Sequence, residues 1–236
     1  MPAMSSPRPK LIAWAQLLRL PNLFTAVADP LAGWLIIGGS EPGWQLPVLA
    51  ATSACLYAAG IVLNDCFDYA TDCQQRPHRP LPRGEISRST AWTIGFGLLL
   101  AGLVLAALVG PVAFWISLFL GLMVLFYNGW SKQFAVLGSL TLGVCRFANL
   151  LLGMRALPPK LWLAPAALGV YVMAIGWYAR REVEHPGRIR VVKRLLLGIV
   201  WLDAVMVLAV GDWIGALLVA SLWLPAVALA RWLEMT

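Results

Sequence analysis

Three aspartates and an asparagine stand at the end of a long apolar segment, in the stretch from Asn64 to Asp72, which reads Asn-Asp-Cys-Phe-Asp-Tyr-Ala-Thr-Asp. Charged groups beside such a segment are costly, so their presence indicates a functional site. On a continuous helix, this spacing places Asp65, Asp68 and Asp72 on one face. Carboxylates this close repel one another unless a cation neutralises them, and oxygen ligands suit Mg²⁺ that is shared with a substrate phosphate. The pattern therefore predicts a metal-diphosphate site with four ligands: Asn64, Asp65, Asp68 and Asp72.

A strongly basic loop follows these aspartates at once. It runs from Gln74 to Ser87, and its prolines and glycine end the helix. Guanidinium groups match phosphate oxygens through paired hydrogen bonds. We expect Asp68 and Asp72 to hold the metal, with Arg79 or Arg83 completing the shell around a diphosphate. Such a shell would stabilise the diphosphate as a leaving group.

The composition indicates the class of protein that must position these groups. The chain has 236 residues, of which 60% are hydrophobic and 12% are charged, and its mean hydropathy is +0.77. Only helices or closed barrels satisfy the backbone in lipid, and continuous apolar runs favour helices over alternating barrel strands. We therefore expect an all-α integral membrane protein that forms one domain over residues 1–236.

The apolar runs give the number of membrane-spanning helices. With about 20 residues for each crossing, eight candidate spans lie near 15–38, 44–64, 90–109, 112–130, 134–154, 161–179, 194–211 and 213–232. The last two are short and are separated only by Gly211 and Asp212, so the count lies between seven and nine. The predicted architecture is a bundle of about eight transmembrane helices.

The positions of the basic residues predict the orientation. With the N-terminus inside, nearly all of them fall in inner segments, and the outer loops hold only Arg155 and Lys160. The aspartate-rich loop and the polar loop around 180–194 should therefore both face the cytoplasm, with the protein in the cytoplasmic (inner) membrane. The net charge of +7 predicts attraction to anionic lipid or diphosphate, and it argues against a nucleic-acid partner because no separate basic domain exists.

Three motifs resemble those of a known family. The order Asn-Asp-x-x-Asp-x-x-x-Asp, then Arg-Pro-His-Arg-Pro-Leu-Pro-x-Gly-x-Ile-Ser, resembles the first signature of the UbiA superfamily of intramembrane prenyltransferases. The stretch from Leu18 to Thr25 resembles the family's first-helix motif, whose asparagine, here Asn22, lines the active-site pocket. The stretch from Tyr127 to Lys132 resembles the segment that ends the family's fourth helix on the cytoplasmic side.

This resemblance implies a helical bundle around a central cavity, in which two aspartate-rich loops bind Mg²⁺ and a prenyl diphosphate. The allylic diphosphate would ionise, and an aromatic or other small-molecule acceptor would capture the cation. Arg79 and Lys132 would grip phosphate, and Asn22 would line the pocket. The expected partners are therefore a prenyl diphosphate, an acceptor of unknown identity and the lipid bilayer.

The second half of the chain departs from the family pattern. Where members carry a second acidic run, the stretch from Trp177 to Gly187 contains no aspartate, and only Glu182 fits the helical register. Arg180 and Arg181 stand beside it. Either these two arginines replace a cation in gripping the diphosphate, or the second site is lost. The sequence thus favours an enzyme. The alternative is a non-catalytic binder of lipid diphosphate or a transport component. A phosphatidyl-group transferase is disfavoured because the sequence pattern of that class is absent.

The fifth predicted helix carries two further polar residues. Its stretch from Cys145 to Gly153 contains Arg146 and Asn149, which share a helix face. Either they contact substrate in the cavity or they pair with Asp29. Together with the weakened second motif, this stretch resembles the UbiA-like EboC branch, which implies a role in small-metabolite biosynthesis or export and partner enzymes encoded in the same gene cluster.

Overall fold

The computed structural model describes residues 10–38, 43–155, 161–180 and 187–233. Within these ranges the chain is helical, with short turns and no strand. The helices are α1 (Lys10–Leu17), α2 (Leu20–Ile36), α3 (Gln45–Phe67), α4 (Tyr69–Gln75), α5 (Arg88–Val109), α6 (Pro111–Gly129), α7 (Ala135–Met154), α8 (Leu163–Ala179), α9 (Gly187–Ala209), α10 (Trp213–Ser221) and α11 (Trp223–Trp232). A single 3₁₀ turn (Ser131–Gln133), hereafter the Lys132 turn, joins α6 to α7.

The helices confirm the predicted fold class. By length and composition, five stretches within the described residues could cross a membrane, namely α3, α5, α6, α7 and the α10–α11 pair, and α1 with α2 would make a sixth across a bend of 44°. The remaining predicted spans correspond to α8, an apolar helix of 17 residues, and α9, a helix of 23 residues that begins with several basic residues. Each of the eight predicted spans thus coincides with a helix or a helix pair.

Small residues allow the helices to approach closely, as α3 and α5 show. The buried face of α5 includes Gly95 and Gly102, while its opposite face exposes large apolar side chains such as Leu100 and Leu108. A Cβ atom at Gly95 would lie 2.8 Å from Leu63 Cδ2. With no hydrophobic driving force between helices in lipid, this close packing is what holds them together, and the exposed face suits contact with lipid chains.

Helix α2 lies at the centre of the bundle and contacts α3, α7, α9, α10 and α11. Its approach to α7 is closest at Gly33 and Gly153. A Cβ atom at Gly33 would collide with the carbonyl oxygen of Leu150, and one at Gly153 would collide with that of Pro30. This contact between backbones fixes the relative positions of the polar groups that α2 and α7 carry.

Several of the polar groups predicted to act together lie at one end of the bundle, namely Asn64, the three aspartates, Arg79, Lys132 and Arg180. This end, hereafter the cluster end, contains the junction of α3 and α4, the basic loop and the Lys132 turn. It also contains the C-terminal end of α8, because Arg180 donates a hydrogen bond to the Lys132 carbonyl. The aspartate-rich loop and the start of the α8–α9 loop are therefore on the same side, as the charge distribution predicts.

Candidate active site

The aspartate-rich segment is interrupted at Asp68. Helix α3 ends at Phe67 and α4 begins at Tyr69, and Asp68 lies between them with φ −85° and ψ 2°. The backbone N–H of Asp68 still donates to the Asn64 carbonyl at 2.9 Å, and that of Asp72 to the Asp68 carbonyl at 2.8 Å. The expected continuous helix is therefore wrong at this position, and the acidic side chains divide into two groups with different partners.

Arg79 joins the first group of carboxylates. Its Nη1 atom donates to Asp72 Oδ2 at 2.7 Å and to Asp65 Oδ1 at 3.4 Å. All three residues are buried, at 5% or less of their accessible surface. Arg19 Nη2 lies 3.3 Å from Asp65 Oδ1, and Arg76 Nη1 lies 3.7 Å from Asp72 Oδ1. Buried charges need such partners because desolvation is otherwise costly.

Lys132 contacts Asp68, which forms the second group, and the neighbouring Asn64. Its Nζ atom donates to Asp68 Oδ1 at 2.5 Å and to Asn64 Oδ1 at 3.4 Å. This pair is more open than the Arg79 cluster, since the Asp68 side chain is 31% exposed and that of Lys132 is 18% exposed. The ammonium group also lies 5.7 Å from the centre of the Phe67 ring. A ligand reaching the cluster end would meet Asp68 and Lys132 before the buried residues.

The basic loop is ordered by its own contacts. Leu81 and Ile86 are buried in an apolar cluster with Val62 of α3. The backbone N–H of Arg83 donates to the Arg79 carbonyl at 3.1 Å. These contacts explain how a loop rich in prolines holds the Arg79 guanidinium between two carboxylates.

The donor set is compatible with Mg²⁺, although it is not arranged as a metal cage. In the described part of the chain, no three side chains of His, Cys, Asp or Glu lie close enough together to hold a metal ion. Mg²⁺ is usually bound by one or two carboxylates together with substrate phosphates, and Asp68 is accessible for that role. Within the same ranges, the buried Oδ1 atoms of Asn22 and Asn128 have no hydrogen-bond partner. The metal ligands proposed from the sequence therefore stay a prediction.

Arg146 and Asn149 pair with Asp29, which was one of the two alternatives left by the sequence. Arg146 Nη1 lies 2.9 Å and 3.1 Å from the two Asp29 carboxylate oxygens, and Asn149 Nδ2 donates to Asp29 Oδ2 at 2.7 Å. Arg146 also donates to the carbonyl and the hydroxyl of Thr25, and its guanidinium lies 5.1 Å from the centre of the Tyr57 ring. These groups form a buried network between α2 and α7, and its partners differ from those of Arg79.

The structure describes only part of the degenerate second motif. Arg180 is described, and it donates to the Lys132 carbonyl at 2.7 Å. Arg181 and Glu182 lie outside the described residues, so their roles stay predictions. Conversely, Arg19 contacts the site through Asp65 but was not among the predicted site residues; its position just before the Pro21-Asn22 pair was the available signal.

The fold and the site together define a membrane-spanning helical bundle with a paired acidic and basic cluster at one end, which is an arrangement suited to a charged headgroup on an apolar chain. A model of the UbiA prenyltransferase family matches residues 23–235. The chain belongs to that family.

Curated relatives include two archaeal proteins named digeranylgeranylglyceryl phosphate synthase. The protein of Ignicoccus hospitalis is 29% identical over 147 residues, which is 62% of this chain and 48% of the relative. The protein of Thermococcus gammatolerans is 34% identical over 125 residues, which is 52% of this chain and 45% of the relative. The matched part of the chain thus spans about half the length of these relatives.

Solved structures share the fold along nearly the whole chain. A digeranylgeranylglyceryl phosphate synthase structure has a TM-score of 0.64 at 19% identity and covers 93% of this chain and 95% of its own. A UbiA homologue of Archaeoglobus fulgidus bound to DMAPP and Mg²⁺ has a TM-score of 0.62 at 16% identity, covering 92% of this chain and 86% of its own. At these identities the similarity supports the fold.

Proposed function

We propose that this protein is a Mg²⁺-dependent membrane prenyltransferase that transfers a prenyl group from an allylic prenyl diphosphate to a small-molecule acceptor. The observation that carries the proposal is the Asp68–Lys132 pair. A partly exposed carboxylate and ammonium lie 2.5 Å apart at the end of an apolar bundle, beside the buried Arg79 cluster. Such a site offers a carboxylate to a metal and an ammonium to phosphate oxygens, while apolar helices accommodate the isoprenoid chain.

The proposed roles follow from these contacts. Asp68 and Asn64, with Asp65 and Asp72, would hold Mg²⁺, which when bound neutralises the diphosphate charge and favours its departure. Lys132 would turn from Asp68 towards the phosphate oxygens as the donor binds.

Two buried residues, Arg79 and Asn22, would keep their positions while the donor binds and Lys132 moves. Arg79 would remain between its two carboxylates and add positive charge to the site. Asn22, whose Oδ1 atom is buried without a partner in the described ranges, would line the pocket.

The proposal also covers the branch of the family to which the chain belongs and the kind of acceptor that it uses. We infer an EboC-like protein with an aromatic or other secondary-metabolite acceptor and cluster-encoded partner enzymes. This inference is supported by the stretch from Cys145 to Gly153 and by the missing aspartates between Trp177 and Gly187. Because the matched relatives are named digeranylgeranylglyceryl phosphate synthase, a lipid phosphate acceptor also belongs in any acceptor panel. We further propose that the cluster end faces the cytoplasm across the inner membrane, as the positive charge around it favours.

The decisive experiment measures thermal unfolding of the detergent-solubilised protein with geranyl diphosphate, with and without Mg²⁺. A ligand that binds the native state at ~100 times its Kd stabilises it by about 2.7 kcal/mol. We expect stabilisation only with both components present, and none for Asp68→Asn. The matched control is Glu85→Gln, a carboxylate that pairs with Arg83 in the basic loop. Equal stabilisation of wild type and Asp68→Asn would refute the site.

The same preparation separates enzyme from binder. Incubation with geranyl diphosphate, Mg²⁺ and a panel of aromatic and lipid phosphate acceptors, followed by mass spectrometry, should yield a prenylated product and pyrophosphate. Stabilisation without turnover across the panel would favour the alternative, a non-catalytic binder of lipid diphosphate or a transport component, which the degenerate second motif supports.

A further inference from the structure

Arg180 contacts the backbone that carries Lys132. Its Nη2 atom donates to the Lys132 carbonyl at 2.7 Å, while the Lys132 ammonium donates to Asp68 Oδ1 at 2.5 Å. Two contacts therefore hold this short segment: Arg180 binds its main chain, and Lys132, which belongs to the segment, binds the Asp68 carboxylate. Arg180 follows α8 directly, so this hydrogen bond ties the end of α8 to the Lys132 turn.

Gly138 provides the space for this contact. A Cβ atom at Gly138 would collide with Arg180 Nη2, and it would lie 3.1 Å from Lys132 Cα. The guanidinium thus occupies the volume that any larger residue at this position would fill. Only glycine in the first turns of α7 admits the arginine at this depth.

Close packing between α7 and α8 fixes the position of Arg180. A Cβ atom at Gly143 would lie 2.5 Å from the Gly169 carbonyl oxygen, and one at Gly176 would lie 3.4 Å from Ser139 Cα. Backbones packed this closely leave little freedom for sliding. The position of Arg180 relative to the start of α7 is therefore determined by helix packing.

We propose that Arg180 is a positioning residue that holds the Lys132 turn so that the Lys132 ammonium reaches Asp68 and, if the proposed function is correct, the donor diphosphate. Arg180, which stands where the family pattern has its second acidic run, then supports the first metal site by binding the backbone of the Lys132 turn. It does so without contributing a ligand to a second site. A short 3₁₀ turn has weak internal hydrogen bonding, which is why an external donor matters here.

The first test needs no ligand. A double-mutant cycle of Asp68→Asn and Lys132→Met, measured by thermal unfolding, gives the coupling between the two side chains. The same cycle in an Arg180→Ala background should give a coupling near zero, because the displaced turn no longer brings Lys132 to Asp68. An unchanged coupling would overturn the proposal, and general destabilisation by Arg180→Ala would not by itself change it.

The second test measures the affinity for geranyl diphosphate with Mg²⁺. Arg180→Ala should weaken binding about 10-fold in the wild-type background and have no further effect in Lys132→Met. Additive losses would mean that Arg180 contacts the diphosphate itself, which contradicts a positioning role. If the wild-type protein does not bind geranyl diphosphate, the proposed function fails, while the ligand-free cycle still decides the role of Arg180.

Gly138→Ala should disrupt the same contact by placing a methyl group where the Arg180 guanidinium lies. It is the alternative variant if Arg180→Ala does not fold. Its methyl group should displace the guanidinium and would also lie 3.1 Å from Lys132 Cα, so it should abolish the Asp68–Lys132 coupling at least as fully as Arg180→Ala does. The matched control is Gly97→Ala on α5, where a Cβ atom would meet nothing within 4 Å; the coupling should there be unchanged. A Gly138→Ala protein that retains the full coupling would count against the proposal.

Discussion

Arg146 binds both carboxylate oxygens of Asp29 through one nitrogen, Nη1, at 2.9 Å and 3.1 Å. The Asp29 side chain is fully buried and that of Arg146 is 8% exposed. The pair joins α7 to α2 at the place where glycines bring the two backbones together. Its partners, Thr25 and Asn149, satisfy further donors and acceptors, so the network is a polar contact between helices inside an apolar bundle.

The first prediction follows from this pair. Arg146→Met should destabilise the protein by about 3–5 kcal/mol, because Asp29 would be left as a buried carboxylate without a counter-charge. Thermal unfolding in detergent would measure the loss. Lys193→Met on α9 is the control, since it removes a positive charge for which no ion pair is present among the described residues. Equal melting temperatures for Arg146→Met and the control would show that the pair contributes nothing.

The second prediction separates Asp29 from Asp203. Asp203 lies beside Asp29 and is fully buried, and no donor among the described residues reaches its carboxylate oxygens. Among the described residues Arg146 makes an ion pair with Asp29 and none is present for Asp203, and asparagine keeps the shape of Asp203 while removing its negative charge. Asp203→Asn should change the unfolding free energy by less than about 1 kcal/mol, and Asp29→Asn should cost several times as much. The reverse order would contradict the assignment of Asp29 as the carboxylate that Arg146 stabilises.

Much of this arrangement could be predicted from the sequence. The eight apolar runs coincide with helices because, in lipid, backbone hydrogen bonding leaves few alternatives. The proximity of Arg79 to Asp72 was expected because the basic loop directly follows the aspartates, and a shared site for Lys132 and the aspartates followed from the resemblance of their motifs to those of one family. The choice between substrate and Asp29 as the partner of Arg146 could not be made, because it depends on which faces of α2 and α7 meet.

Other features depend on local geometry that the spacing does not reveal. A period of 3.6 residues places three aspartates on one face only if the helix is continuous. The helix is interrupted at Asp68, and that residue has a different partner from Asp65 and Asp72. The contact between Arg180 and the Lys132 carbonyl involves a main-chain acceptor. Side-chain types alone carry no signal for such a contact.

The third prediction concerns orientation and uses a native cysteine. Cys73 in α4 is exposed and Cys66 is buried, so an impermeant maleimide should label Cys73 from the cytoplasmic side only. Inverted membrane vesicles should react and intact cells should not, with Cys73→Ser as the control. In that background, Trp44→Cys at the opposite end, where the native side chain is 60% exposed, should show the reverse pattern. Labelling of both positions from one side would disprove the predicted topology.

The last prediction tests whether a metal and Arg79 share the same carboxylates. Arg79→Ala removes the guanidinium that lies 2.7 Å from Asp72 and 3.4 Å from Asp65, which should cost about 3 kcal/mol because two buried carboxylates lose their common partner. Mg²⁺ without any donor should then raise the melting temperature of Arg79→Ala more than that of wild type, since a divalent cation can replace the lost charge. Arg83→Ala is the control from the same loop, because its carboxylate partner is Glu85, and it should gain no more from Mg²⁺ than wild type does. If Mg²⁺ stabilises all three proteins equally, these two aspartates are structural partners of Arg79, and the metal assignment would rest on Asp68 and Asn64 alone.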